Sequence, residues 1–248
     1  LKFIIEEYTL EPGVRKLKEK LFEIMGEINL DILKKNMIVN EIPIKITIDD
    51  IKNKYFKDKR EIKVHKIHTE NVNYIINGMY ANSLNQGGVL PFQACFIPAQ
   101  YFLEIILTGN QKDVMREGMI LSKNLAWSLT NYKKQKELIK KYNDVKNNCV
   151  YGININAVGL SIPKDGPSAS STICVLIYAL LNDYKIKHYL AMTGEVSLDG
   201  KITEIGGLEY KILGSIKNGV KEIIYPSENN KDFENFYHKY KDKEIIKN

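Results

Sequence analysis

The sequence predicts an α+β protein, a mixed domain of sheets and helices behind a partial helical subdomain. Three observations lead there. Before about Phe56 the apolar residues recur at helical steps, whereas from about Asn71 two-residue alternation trades repeatedly with three- and four-residue spacing. Asp199-Gly200, between Val196-Ser197-Leu198 and Lys201-Ile202-Thr203, is a two-residue hairpin signal, so the second part contains antiparallel strands. The organisation expected is a helical piece over 1–56, a linker over 57–70 and the main domain over 71–248.

In chain order, Thr9 is positioned as an N-cap with Pro12 in the first turn. Val14, Leu17, Leu21, Ile24 and Ile28 then mark one helix face. A second helical stretch, Ile48 to Phe56, follows Pro43 with Asp49 and Asp50 near its start, and the charged run Lys57 to Lys66 reads as the linker. Val72, Tyr74 and Ile76 alternate like a strand, and Tyr101 to Leu107 is a second candidate. Thr108-Gly109-Asn110 turns into a helix carrying Val114, Met115, Leu121, Leu125 and Leu129. Tyr151, Ile153 and Ile155 alternate with Asn, which predicts a strand with one buried face. After the loop Pro163-Lys164-Asp165-Gly166-Pro167, an apolar helix runs from Ser168 to Leu181. Strands are expected at Tyr189 to Met192 and Glu222 to Tyr225, and Gly206-Gly207 precedes a helix to about Lys217.

A hydrophobic content of 44% over 248 residues supplies a sizeable core, and no apolar run approaches the roughly 18–20 residues a membrane span requires. The net charge of +6 comes from lysines spread along the whole chain, which predicts solvated faces rather than a nucleic-acid surface. Cys95, Cys149 and Cys174 are too scattered for a disulfide framework or a zinc cluster, so reduced thiols in a reducing compartment are expected. No metal site is expected; His65 and His68 lack further ligands. The chain opens at Leu1, not Met, as a fragment of a longer protein would.

Chemistry concentrates at Pro163-Lys164-Asp165-Gly166-Pro167-Ser168-Ala169-Ser170. Ser168 falls in the first turn of an apolar helix, where unpaired N–H groups and the positive dipole end can hold a developing oxyanion. A plain helix cap is the alternative for the same position. A nucleophilic serine needs a base. None of His65, His68, His188 and His238 stands in a nucleophile context, which directs attention to lysine. Lysine serves as a base only when burial or a neighbouring cation supplies its neutral form. Lys211, beside Ile212 and three residues after Leu208, can turn inwards; the alternative is a solvent-facing lysine on an amphipathic helix.

Several blocks settle the order of these pieces: Pro163 to Ser168, Met192-Thr193-Gly194-Glu195, and Ile205-Gly206-Gly207-Leu208 with Lys211. Others are Gly87-Gly88, Thr108-Gly109-Asn110 with Val114 to Glu117, and Gly219-Val220-Lys221 before Ile224-Tyr225-Pro226. In order and spacing they resemble the proteolytic domain of Lon proteases. Tyr8-Thr9 with Gly13 to Leu17 resembles the closing helix of that family's AAA+ small subdomain. The resemblance implies the Lon-type α+β proteolytic fold, an ATP-dependent serine endopeptidase with Ser168 as nucleophile and Lys211 as general base, and Thr193 orienting the lysine. It further implies that Asp165 and Gly166 shape the nucleophile loop and oxyanion site, and that Arg15 is a nucleotide-sensing arginine. Also implied are homohexameric rings, unfolded or damaged protein substrates, and the cytoplasm or mitochondrial matrix. This chain has no phosphate-cradling Gly-x-x-x-x-Gly-Lys-Ser/Thr loop, so ATP and magnesium are expected to be bound by the rest of the full-length protein.

Three departures stand out. Ser170 replaces the family's usual Gly, Ala157 to Ile162 lacks its usual acidic residue, and Leu10 replaces a basic one. The alternatives are a non-catalytic Lon-like domain kept for ring assembly or nucleic-acid binding, and a stand-alone Ser–Lys peptidase.

Overall fold

The computed structural model describes residues 1–9, 13–34, 43–61, 67–82, 85–146, 149–159 and 164–242. Leu10, Pro12, His65 and Pro163, named above, lie outside the described residues. The chain divides into two compact units, Leu1–Val64 and His65–Asn248, with the division inside the stretch read as a linker.

The N-terminal unit is helical. A turn at Lys2–Ile4 widens into a π turn at Ile5–Thr9, and α1 spans Arg15–Leu33. A second helical piece runs through Ile48–Asp50 and Ile51–Tyr55. Ile24 and Ile28, one turn apart on α1, pack with Ile4, Ile51, Tyr55 and Phe56. Thr9 does not cap α1: its hydroxyl donates back to the Ile5 carbonyl at 3.2 Å, and α1 starts at Arg15 behind an uncapped Val14. The working cap belongs to Thr47, whose side chain accepts the Asp50 N–H while the Asp50 carboxylate accepts the Thr47 N–H at 2.8 Å.

The larger unit is built on a mixed sheet. Its strands are β1 (Ile75–Ala81), β2 (Gly87–Pro98), β3 (Ile105–Thr108), β4 (Asn143–Asp144), β5 (Cys149–Ala157), β6 (Leu190–Met192) and β9 (Glu222–Ile224). The spatial order is β3-β5-β2-β1-β6-β9, with β4 beside β5. β2 runs antiparallel to β1 and β5; β3–β5, β1–β6 and β6–β9 are parallel pairs. The separate pair β7 (Glu195–Val196) and β8 (Ile202–Thr203) forms a hairpin. Its loop is longer than the two residues expected. The Ser197 N–H reaches the Lys201 carbonyl, leaving Leu198, Asp199 and Gly200 in the loop, with Gly200 at φ 83° closing it.

The helices are α2 (Asp113–Leu129), α3 (Tyr132–Tyr142), α4 (Ser170–Asn182), α5 (Leu208–Lys217) and α6 (Asn230–Tyr240). The two-residue period of β5 turns Ile153, Ile155 and Ala157 into the core and Asn154 and Asn156 away from it. Against that face, α4 packs with α2: Ile173, Leu176, Ile177 and Leu181 are fully buried, beside Met115 and Met119. Each such side chain contributes about 1.5–3 kcal/mol through burial, so the helix behind Ser168 is firmly seated. A second cluster, Ile205, Leu208, Ile212 and Phe236, joins α5 to α6, and α5 lies along β1 and β2.

Strand positions differ from expectation by a few residues. The first strand begins at Ile75, and Val72 contributes only an isolated bridge to Ile186. The second begins at Ile105, because the chain turns at Tyr101–Leu103 with Leu103 at φ 57°. Among the described residues no helix is long and apolar enough to cross a membrane, and no group of three or more His, Cys, Asp or Glu could hold a metal ion.

Candidate active site

Ser168 lies in a tight 3-10 turn, Pro167–Ala169, that leads directly into α4. The turn is entered through Gly166 at φ 120°, ψ 148°, a conformation open to glycine and strained for any residue with a Cβ. Asp165 anchors the approach. Its Oδ1 accepts the Met115 N–H of the first turn of α2 at 3.1 Å and the Gly166 N–H at 3.0 Å. Lys164 secures the preceding residue: its N–H donates to the Asn110 carbonyl and its carbonyl accepts the Lys112 N–H. Its ammonium reaches the Gly109 carbonyl at 2.9 Å and the Gly159 carbonyl. The loop that leads to Ser168 is therefore tied to the β3–α2 turn by main chain and side chain together.

The far side of Ser168 is held by the segment after β6. The Gly194 N–H donates to the Ser168 carbonyl at 2.8 Å, and the Ser171 N–H donates to the Gly194 carbonyl at 3.1 Å. That segment is itself placed by Asn77, buried in β1, whose Nδ2 donates to the His188 and Leu190 carbonyls on the approach to β6. Thr193, between β6 and β7, is 2% exposed; its N–H donates to the Ile224 carbonyl.

Lys211 approaches from α5. Although a lysine, it is 3% exposed. Its Nζ stands 3.1 Å from Ser168 Oγ and 3.0 Å from Thr193 Oγ1, and Thr193 Oγ1 is 3.2 Å from the Ser168 carbonyl oxygen. Burial lowers the Lys211 pKa from 10.5 to about 8, and no charged group among the described residues offsets it. At neutral pH the amine is thus neutral in roughly a tenth of molecules, against well under a thousandth for a solvated lysine.

Ser168, Lys211 and Thr193 are in direct mutual contact, with Asp165 and Gly166 forming the loop that leads to Ser168. Arg15 sits in the N-terminal unit at the start of α1, exposed, with Nε 3.7 Å from the Glu19 carboxylate. Two residues named in the sequence take supporting roles that it did not predict. One is Gly194, whose role is a main-chain bond invisible to residue type. The other is Ser170: its Oγ accepts the Val196 N–H at 2.9 Å, and its carbonyl accepts the Ser122 hydroxyl at 2.7 Å. The departure from glycine at Ser170 thereby links the helix behind Ser168 to the β7–β8 hairpin.

Comparison with known proteins places the chain in a family. Residues 45–247 match the family model of the Lon protease (S16) C-terminal proteolytic domain. A Lon protease homolog of Acanthamoeba polyphaga mimivirus is 30% identical over 94% of this chain and 28% of its own length. Lon proteases of Campylobacter concisus and Campylobacter jejuni are 31% and 34% identical, each over 92% of this chain, and over 29% and 28% of their own lengths. The chain thus spans less than a third of the relatives it matches. With the proteolytic-domain match covering four-fifths of its residues, the chain belongs to the Lon protease family.

Proposed function

We propose that this chain is the proteolytic part of an ATP-dependent serine endopeptidase that works through a Ser168–Lys211 dyad. The observation that carries the reading is the buried, charge-unpaired Lys211 amine 3.1 Å from Ser168 Oγ. A lysine in that setting has little structural value as a cation. Its depressed pKa suits it to accept a proton.

In the first step the Lys211 lone pair takes the Ser168 hydroxyl proton as Oγ bonds to the scissile carbonyl carbon. The carbonyl π pair moves to oxygen. The N–H groups of Ser168 and Ala169, at the helix start where no intrahelical acceptor exists, are the proposed donors to that oxyanion. The Lys211 ammonium then protonates the amide nitrogen, the C–N bond breaks, and an acyl-enzyme remains. Water, deprotonated by the same amine, attacks the ester; the tetrahedral centre collapses and Oγ leaves with the proton. Asp165 and Gly166 set the loop shape, and Thr193 orients the amine.

By family membership we further propose that residues 1–56 close an AAA+ small helical subdomain, that 57–70 link it to the proteolytic domain over 71–248, and that Arg15 senses nucleotide. ATP and magnesium would be bound by the remainder of the full-length protein. The assembly would be a homohexamer acting on unfolded or damaged proteins in a reducing compartment. The buried dyad contact favours this reading over a domain kept only for ring assembly or nucleic-acid binding. Cleavage of a fluorogenic peptide and an unfolded protein by the full chain, alongside Ser168→Ala and Lys211→Ala, tests it. Both substitutions are expected to abolish turnover with the oligomer intact; undiminished turnover in either would overturn the dyad.

A further inference from the structure

The gap between nucleophile and base has two independent supports. Ser168 is held through Asp165, which accepts the Met115 N–H of α2, and by Gly194 after β6. The Lys211 backbone is carried by α5, and α5 rests on the start of β2, where Gly87 and Gly88 pair with Ala81 and Tyr80 of β1. The helix meets that strand through main chain on both sides. A Cβ on Gly87 would fall 1.9 Å from the Tyr210 carbonyl oxygen and 2.8 Å from the Lys211 nitrogen. A Cβ on Gly214, one turn along α5 from Lys211, would fall 2.1 Å from the Gly87 carbonyl carbon and 2.3 Å from the Gly88 nitrogen. All these neighbours are backbone, which cannot swing aside as a side-chain tip can. A single methyl group on either partner has to lift α5 off the strand.

We propose that the Gly87–Gly214 crossing is a positioning contact for the reaction: it sets the depth at which α5 carries Lys211 and so the distance from its amine to Ser168. The inference rests on the dyad reading above. Neither glycine touches a reacting atom; both act through the Lys211 backbone. Lifting the helix lengthens the 3.1 Å contact and opens the amine to water. Hydration removes the one cause of the lowered Lys211 pKa, which is burial. The ionisable groups on the elements packed against α5 include Tyr80 on β1, Cys95 on β2, and Lys239 and Tyr240 of α6 gathered at Glu209. None of them contributes to that shift.

The experiment compares Gly87→Ala and Gly214→Ala with the unaltered full chain, measuring kcat and KM on a fluorogenic peptide as a function of pH, with far-ultraviolet circular dichroism as the folding check. The expected result is a folded protein whose kcat falls by about 100-fold at little-changed KM. The midpoint of its pH–rate profile is also expected to move from about 8 towards the ordinary lysine value of 10.5. A merely structural defect lowers the active fraction and leaves the midpoint in place, and that outcome overturns the proposal. So does wild-type kcat in a folded variant. If neither variant folds, the crossing is a requirement of the fold and not a positioning device for Lys211, and the proposal also falls. Failure of the dyad reading is separately visible, because Ser168→Ala and Lys211→Ala would then retain turnover.

Discussion

Thr193 Oγ1 lies 3.2 Å from the Ser168 carbonyl oxygen, and this contact decides what the hydroxyl can offer Lys211. Its one proton is committed to the carbonyl, so towards Nζ, 3.0 Å away, it presents only a lone pair. The amine must donate to Thr193, which turns the nitrogen lone pair of its neutral form towards Ser168. Thr193→Val keeps the shape and deletes that constraint. We expect kcat to fall by about 10- to 100-fold with KM little changed, as for loss of a hydrogen bond worth about 1.5–3 kcal/mol. Thr193→Ser should recover most of the rate, and steady-state kinetics on the two variants checks this.

The Lys211 pKa of about 8 predicts a pH–rate profile that climbs through that value. Below it, kcat should rise about tenfold per pH unit, because only the neutral amine accepts the Ser168 proton. Lys211→Arg, whose guanidinium stays charged, should be inactive across the same range. A profile for the unaltered chain that is flat from pH 6 to 9 would contradict Lys211 as base.

The same burial makes Lys211 a stability liability. Its folded pKa of about 8 lies below the ordinary 10.5, so between those values the unfolded chain binds more protons than the folded one. Stability therefore rises with pH across that window, and below about 8 the full penalty applies. Lys211→Met, of similar shape and without charge, is expected to stabilise the protein at pH 7 by up to about 3 kcal/mol. The gain should shrink as pH approaches 10.5. Urea unfolding of both proteins at several pH values measures it.

Ser170→Gly removes the acceptor of the Val196 N–H and leaves that buried donor unpaired. A cost of about 1–3 kcal/mol is expected. Hydrogen exchange should locate the loss: the Val196 amide would lose protection more than amides in β5.

Asp165→Ala frees the Met115 N–H in the first turn of α2 and detaches the nucleophile loop from that helix. A stability loss of about 1 kcal/mol, typical of a helix-end acceptor, should accompany a fall in kcat. Asp165→Asn keeps an oxygen for the same N–H and should restore most of both. Thermal unfolding and kinetics on the pair separate anchoring from chemistry.

The elements flanking the site were largely legible in the sequence, since α4 is a continuous apolar run, α5 spaces Leu208 and Ile212 one turn apart, and glycine or proline stands at their starts. β2 was not, although it is the longest strand. Gly87, Gly88, Pro91 and Pro98 read as breakers, and only pairing with β1 and β5 makes them a strand. α3 and α6 escaped for a different reason: each fully buries a single residue, Leu138 or Phe236, among many charged ones, although Phe233, Phe236, Tyr237 and Tyr240 of α6 do fall at helical spacing. The helix at Ser168 begins with a 3-10 turn because Pro167 and the Gly166 conformation tighten its first residues. Ser168, Thr193 and Lys211 could be named from their motifs. Their contact could not, because it depends on the Gly194 main-chain bond to Ser168 and on the Asn77 side-chain bonds to the His188 and Leu190 carbonyls, partners that residue type does not reveal.

Ser168 and Lys211 are 43 residues apart in the chain, and Gly87, on which the helix of Lys211 rests, comes from far earlier still. A ribosome delivers the serine before the lysine, and neither has intrinsic reactivity: one is an ordinary hydroxyl, the other a hydrated ammonium. Only closure of the longest loops, with β1 and β2 already paired and α5 laid across them, strips water from the amine. Contacts so distant in sequence cost loop-closure entropy before they stabilise the chain. On the proposed dyad, emergence of a reactive centre is therefore coupled to completion of the architecture, and an unfinished chain has no means to attack itself or its neighbours.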